Sequence, residues 1–499
     1  VSSGNAERHT RIAVIGAGFG GIGTAIRLRG AGYRDFLVFD RGDEVGGTWR
    51  DNSYPGCACD VPSHLYSFSF VRNPGWSRSF SPQPEIWAYL RRCADEHGVR
   101  PHLRLGHEVH AATWDAQARL WRLDTSQGAY TAQILVAAGG PLTEPSIPEL
   151  PGLADFRGET FHSARWRHDL DLTGRRVAVI GTGASAIQFV PQIAPQVAAL
   201  TLFQRTPAWV LPRRDRRIRA VERRLFRSAP LLHWLMRAGV YWGREFQATA
   251  FLRPALMRLG QGMARRHLRR SVADPGLRER LTPSYTMGCK RVLLSDDFYP
   301  ALGRANVDVV TEPITRVTAD GVVTADGRAH PVDTLVFGTG FHVTDLPMAR
   351  AIRGADGRTL AEHWAGSMYA YRGTAVTGFP NLFLLLGPNT GLGHNSVVFM
   401  IECQLGYLLG ALRHLDTTGA DAIEPLPDAQ RAYNAALDRA MDGTVWTSGG
   451  CRSWYLDPSG RNSTLWPGYT WSYWLRTRRF DAAAYRAVPA RTSVAEEHR

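Results

Sequence analysis

Cysteine is scarce, with six residues in 499, too few for a disulfide framework in a chain of this length. Cys57 and Cys59 are spaced CxC, and Cys93, Cys289, Cys403 and Cys451 form no metal-ligand run. No metal site is expected, and a reducing cytoplasm is the simple home. Long apolar runs are missing as well. LFLLLG, residues 382–387, is far too short to cross a bilayer, and VSSGNAERHT at the start holds no apolar core of a signal peptide. Stable membrane insertion is therefore not expected. Acidic residues are outnumbered, 45 Asp and Glu against 59 Lys and Arg, for a formal charge of +14. Such a balance invites nucleic acid. The excess, however, lies along amphipathic stretches such as RRDRRIRAVERRLFR, residues 213–227. An arginine-rich helical surface and a phosphate-bearing cofactor both suit that potential, and nucleic acid has no other support.

What is present is enough apolar material, 44% of residues in 55.3 kDa, for two or three packed domains. Glycine marks the first of them. RIAVIGAGFGGIGTAIRLRGAG turns from a strand pattern into a helix pattern through Gly16, Gly18 and Gly21. In a GxGxxG loop the first glycine allows the tight turn, the second lets a pyrophosphate reach the backbone, and the third lets helix and strand pack closely. The next strand, FLVFD, ends at Asp40, placed to accept hydrogen bonds from a ribose. The pattern recurs in RRVAVIGTGASAIQFVPQIA, where Gly181, Gly183 and Ala186 form GxGxxA and LTLFQRT follows. Here Arg205 and Thr206 stand where an acid would favour an unphosphorylated ribose, and a cation with a hydroxyl suits a 2′-phosphate. The first loop reads as a flavin or NAD site and the second as an NADP site. Two dinucleotide loops in one chain imply hydride passing from reduced nicotinamide to a second bound dinucleotide, most economically FAD.

HPVDTLVFGTGF, with Asp333, Gly338 and Gly340, resembles the segment of two-dinucleotide flavoproteins that closes over the flavin, and LVAAGGP from Leu135 resembles its counterpart. The resemblance implies an α/β fold of two Rossmann-like three-layer domains, a discontinuous FAD domain with an NADP domain inserted, plus a helical insertion. The expected boundaries are 8–150 and 331–499 for the FAD domain with the tail, 151–214 and 286–330 for the NADP domain, and 215–285 for the insertion.

FRGETFHSARW then matches FxGxxxHxxxW at Phe156, Gly158, His162 and Trp166. That is the fingerprint of the Baeyer–Villiger monooxygenases, although Arg167 stands where the family pattern usually continues with proline or aspartate. GGTW (46–49), YPGCACD (54–60), FQRTPAW (203–209), GCKR (288–291) and GFPNLFLLLGPNTGLGHNS (378–396) extend the resemblance over nearly the whole chain. It implies FAD and NADPH as cofactors and a ketone and O2 as substrates. One oxygen atom would be inserted beside the carbonyl through a peroxyflavin, giving an ester or lactone. Arg291 would be the catalytic arginine and Asp60 the acid that positions it. Gly47, Thr48, Trp49, Asp60, Asn389 and Asn395 would join the first loop and Asp40 around FAD. Gly181, Thr182, Gly183, Ser185 and Gln188 would hold NADP, with Arg205, Thr206 and Lys290 on its 2′-phosphate. The fingerprint would act as a domain linker; read without the family, Phe156 and Trp166 are apolar anchors and His162 an ordinary buried histidine.

The insertion, with PLLHWLMRAGVYW and AFLRPALMRLGQGMARRHLRR, reads as amphipathic helices that pack on their own domain or, alternatively, lie against a membrane surface. The tail WTSGGCRSWYLDPSGRNSTLWPGYTWSYW either lines an apolar pocket or packs the chain end, and His394 has no claim as a general base. The arginine- and glycine-rich composition is associated with bacterial sources, and monomer and homodimer are equally open. The rivals are an N- or S-oxygenating flavin monooxygenase, which shares both loops, a disulfide reductase, which needs paired redox cysteines against the flavin, and a non-catalytic nucleotide sensor.

Overall fold

The strand Arg8–Ile15 pairs in parallel with Phe36–Asp40 on one side and Gly128–Ala137 on the other. With neighbours along both edges and packing on both faces, its residues Ile12, Ala13 and Val14 are fully buried, which is why it reads as an apolar run rather than an alternation. The computed structural model describes residues 8–488. Residues 1–7 of the N-terminal stretch and 489–499 at the end of the 331–499 segment lie outside it. Around that strand an eight-stranded sheet runs Ile352–Arg353, Val109–Asp115, Leu120–Thr125, Gly128–Ala137, Arg8–Ile15, Phe36–Asp40 and Leu103–Leu105, with Leu382–Leu384 also paired to Gly128–Ala137. The helices Phe19–Gly30, Gln83–Glu96 and Val397–Thr418 cover one face. Trp114, Trp121, Trp364 and Phe379 pack on the other.

A second sheet has five strands, all parallel, in the order Val307–Val310, Ala199–Phe203, Arg176–Ile180, Thr334–Phe337 and Glu159–His162. Thr334–Phe337 lies within the 331–499 segment expected in the flavin unit, yet it pairs with Arg176–Ile180 in the register Thr334↔Val177. The second unit therefore runs on to Phe337. The chain returns to the first sheet only afterwards, at Ile352–Arg353 and Leu382–Leu384. An apolar run such as TLVF suits the middle of either sheet, and only its partners decide which. Between the two halves of this unit stand the helices Ala220–Ser228, Pro230–Leu252, Met257–Ser271 and Pro275–Arg280. A short parallel pairing, Val210–Leu211 with Leu293–Leu294, closes this excursion. It brings the chain just after Thr206 beside the chain just after Arg291.

Candidate active site

Both glycine loops stand at the carboxyl ends of their sheets, where open α/β folds bind ligands. In the first, a Cβ on Gly21 would sit 1.7 Å from the Gly16 carbonyl oxygen, so only glycine allows this approach of helix to loop. Asp40 is tied to the same loop: Oδ2 accepts from the Ala17 N–H at 2.7 Å, and Oδ1 accepts from the Gly42 N–H at 2.8 Å and from Arg50 Nη1 at 2.8 Å. Gly47 faces Gly18 so closely that a Cβ on it would lie 3.1 Å from the Gly18 Cα. Trp49 Nε1 donates to the Tyr66 hydroxyl at 3.0 Å. In the second loop Gly181 takes a φ of +108° against the Gly338 carbonyl, and the Thr182 hydroxyl donates to the Thr206 carbonyl at 3.2 Å. Gln188 joins the two units. Its Oε1 accepts from the Tyr54 hydroxyl at 3.0 Å and the Ala58 N–H at 3.2 Å, and its Nε2 donates to the Ala58 carbonyl at 2.9 Å.

One cavity of about 1430 Å³ spans both loops. That exceeds the roughly 300–1,000 Å³ of a pocket for one drug-sized ligand, as two dinucleotides and a substrate would require. It is lined by Gly16, Gly18, Asp40, Gly47, Thr48, Trp49, Asp60 and Asn395 from the flavin set. From the nicotinamide set it takes Gly181, Thr182, Gly183, Ser185, Gln188, Arg205, Thr206 and Lys290, and Arg291 lines it as well. Gly21, Asn389 and the four fingerprint residues are not in its wall. Asn389 spends its amide on the tail, donating to the Asn462 carbonyl at 2.7 Å and the Leu465 carbonyl at 3.0 Å. Phe156 folds over Gly158, whose Cβ would meet the ring at 2.6 Å. His162 ends an edge strand of the second sheet. Its Nδ1 accepts from the Ala164 N–H at 3.1 Å and its ring lies edge-on to Phe341; burial lowers its pKa to about 4 against a hydrogen bond with the Gly340 backbone. Trp166 packs on Phe161 and on Phe189 of the second loop's helix.

Arg291 and Asp60 meet as a fork, Nε to Oδ2 at 2.8 Å and Nη2 to Oδ1 at 2.8 Å. Burial alone would raise the Asp60 carboxyl, but the charge and hydrogen bonds of Arg291 outweigh it and hold the carboxyl below its ordinary range. The Asp60 charge in turn raises Arg291 against the burial that opposes it. Two further neighbours bear on this pair, the first expected only among the tail aromatics of a pocket wall and the second not expected at all. The Tyr455 phenol lies beside Arg291, burial pushing it up to about 12 against the pull of that cation. Arg244 on the long insertion helix lies close enough for its charge to stabilise the Asp60 carboxylate. Next to it, Glu245 accepts from Asn395 Nδ2 at 2.6 Å and from the Thr470 N–H and hydroxyl at 2.9 and 2.7 Å, with His394 Nε2 at 3.4 Å.

Arg205 and Lys290 face the cavity with no ion pair among the described residues, Lys290 resting over the Tyr285 ring at 5.3 Å. Burial, then the charge of Arg205, lowers the Lys290 pKa. Two cations without an acid between them fit a phosphate. A stronger signal was available in composition: Lys290 is the only lysine in the chain.

Residues 13–226 match the family model described as pyridine nucleotide-disulphide oxidoreductase. The fold is similar to that of cyclohexanone monooxygenase from Rhodococcus sp. Phi1 bound to NADP+, with a TM-score of 0.86 and 30% identity over 97% of this chain and 100% of that one. It is equally similar to OTEMO in complex with FAD and NADP, with a TM-score of 0.86 and 28% identity over 97% and 100%. Over 492 residues the sequence is 54% identical to a Baeyer–Villiger monooxygenase of Streptomyces coelicolor, covering 98% of this chain and 95% of that one. The chain belongs to the Baeyer–Villiger monooxygenases. Its two Rossmann-like units and helical insertion are those of the family's fold.

One expectation needs correction within this Baeyer–Villiger monooxygenase. Cys289, beside Lys290 and Arg291, is joined to Cys451 of the tail by a disulfide with a Cα–Cα distance of 6.1 Å. The two lie 162 residues apart, so spacing gave no hint of the pair. The bond fastens the arginine segment to the segment that carries Tyr455. Cys57 and Cys59 are free, and burial pushes the Cys57 thiol up to about 12 and Cys59 further. Neither is a thiolate for disulfide exchange. Unfolded in denaturant without reductant, the protein should titrate four thiols, those of Cys57, Cys59, Cys93 and Cys403; six would show that the pair is reduced.

Proposed function

We propose that this enzyme uses NADPH and O2 to insert one oxygen atom beside a ketone carbonyl, yielding an ester or lactone. The observation that carries the reading is the Arg291–Asp60 fork opening on a cavity shared by two dinucleotide loops. The overall reaction balances: NADPH supplies two electrons, a proton from solvent joins its hydride, one oxygen atom enters the ester and the other leaves as water. FAD, held by the first glycine loop and Asp40, would supply the redox chemistry that links NADPH to O2.

The residues fit that cofactor pair. The Gly16–Gly18–Gly21 loop and Gly47 leave backbone open to a pyrophosphate, while Asp40 holds the loop and shares its carboxylate with Arg50. Thr48, Trp49 and Asn395 complete the flavin wall. Gly181, Thr182, Gly183, Ser185 and Gln188 form the nicotinamide side, with Arg205, Thr206 and Lys290 on the 2′-phosphate. Arg291 stabilises negative charge on oxygen as the carbonyl is attacked, and Asp60 keeps its guanidinium in one orientation. Trp166 fastens the second loop's helix to the edge strand through Phe189 and Phe161, while His162, at the end of that strand, packs on Phe341. A supply of NADPH favours the cytoplasm, where the Cys289–Cys451 bond would have to withstand a reducing pool.

The test is a panel of cyclic, linear and aryl ketones, together with a sulfide, given to the flavin-loaded protein with NADPH in air, following cofactor oxidation and oxygenated product. Ester or lactone from at least one ketone is expected. A protein that binds no flavin, or makes sulfoxide but no ester from any ketone, would refute the reading.

A further inference from the structure

Residues 213–270 hold sixteen arginines and three acids, nearly the whole charge excess of the chain. Twelve of those arginines are exposed and none of the acids is. The same segment exposes large apolar side chains. The helix Pro230–Leu252 has 23 residues, about 35 Å at 1.5 Å each. Leu231, Leu235, Trp242 and Phe246 recur on it at helical spacing and stand in solvent, Trp242 at 59% and Phe246 at 81% exposure. Its other face is inward, with His233, Arg237, Glu245 and Ala248 buried. The next helix, Met257–Ser271, adds Leu259, 75% exposed, and Met263 one turn on. The tail helix Thr470–Thr477 is tied to the long helix through Tyr241 and Thr470, whose hydroxyls are 3.0 Å apart, and carries exposed Trp471 and Trp474.

We propose that this face docks on an anionic phospholipid surface, its apolar side chains entering the headgroup boundary and its arginines meeting lipid phosphates. A chain that packed these helices only on its own domain would not leave Trp242, Trp471, Trp474 and Phe246 in water, since contiguous exposed apolar patches mark interaction sites. Charge decides among partners. A second copy of this chain would set exposed arginines against arginines, whereas an anionic bilayer supplies both the phosphates and the apolar layer. No helix among the described residues is long and apolar enough to cross a membrane, so the contact is peripheral and reversible. The docked helix also reaches the active site: Glu245, next to Phe246, holds Asn395, which lines the cavity. A ketone dissolved in the bilayer would thus enter beside the helix that rests on it.

The test is flotation of the intact flavoprotein with vesicles of phosphatidylcholine and phosphatidylglycerol, against phosphatidylcholine alone. Binding should need the anionic lipid and fall as salt shortens the screening length. The double variant Trp242→Ser/Phe246→Ser should lose about tenfold or more in vesicle partitioning. So should Arg258→Gln/Arg266→Gln/Arg270→Gln, all with flavin content and circular dichroism unchanged. Equal binding to neutral vesicles, or none to either, overturns the proposal. So does equal binding by the Trp242/Phe246 variant, or by soluble polyglutamate in competition, which would make this a site for acidic polymers. Sedimentation showing a dimer that the Trp242/Phe246 variant dissolves would assign the face to a second copy instead. None of these readouts depends on which substrate the enzyme oxidises.

Discussion

Replacing Arg291 with alanine should lower ester formation about 10²–10³-fold while NADPH consumption continues, its electrons leaving as hydrogen peroxide. The expectation comes from what the guanidinium does and from what its removal leaves behind. In the wild type it presents a rigid fork fixed by Asp60 at 2.8 Å on both bonds and stays charged at any pH of interest. Its loss removes the cation that favours charge on the reacting oxygen. It also leaves Asp60 as a half-buried carboxylate without its ion-pair partner, supported by the charge of Arg244 and a backbone hydrogen bond, an anion where one is least wanted. Arg291→Lys should fall between, keeping the charge and losing the fork. Asp60→Asn should cost less in NADPH oxidation than in coupling, since it frees the arginine without removing it. The Asp60 carboxyl is held below its ordinary range, so the ion pair is complete above that range and lost only as pH falls below it. Activity should therefore show no titration of this pair near neutrality. Gas chromatography of the ester alongside an oxygen electrode separates product from peroxide, and undiminished ester from Arg291→Ala would remove the arginine from its role.

Local features of the chain carried much of this structure. Gly16, at a φ of +103° between strand and helix, and Gly21, in the helix's first turn, are fixed by sterics, since a Cβ at 21 would overlap a carbonyl oxygen. Such constraints act within a few residues and are readable there. Long-range pairings are not. TLVF could serve either sheet, and its place beside Arg176–Ile180 depends on a partner more than 150 residues away. The Cys289–Cys451 bond and the approach of Tyr455 to Arg291 both follow from how the tail folds back over the GCKR segment. Glu245 and Arg244 were hidden in a helix whose periodicity announced only that one face is apolar. Asn389 shows the reverse case: a residue in a family motif whose amide holds the tail carbonyls.

Arg205 and Lys290 give the second large expected effect, in cofactor choice rather than chemistry. Each hydrogen bond to a charged phosphate is worth about 1.5–3 kcal/mol, and roughly 1.4 kcal/mol is tenfold. Arg205→Ala and Lys290→Ala should thus each raise KM for NADPH about 10–100-fold, with KM for NADH nearly unmoved and kcat retained. Together the two substitutions should turn a strong preference into a weak one. Lys290 offers a direct check because no other lysine competes for an amine reagent. Burial and the nearby Arg205 charge lower its pKa, so more of it is neutral, and hence nucleophilic, than of an exposed lysine at the same pH. A small acylating reagent should modify this one side chain and weaken NADPH binding by a similar factor. Added NADP+ should protect it, both by covering the amine and by offsetting the Arg205 repulsion so that its pKa rises. NAD+, lacking the 2′-phosphate, should protect poorly at equal occupancy. Equal protection by both would mean that the lysine meets a part of the nucleotide common to the two, and Arg205 would then have to account for the discrimination alone.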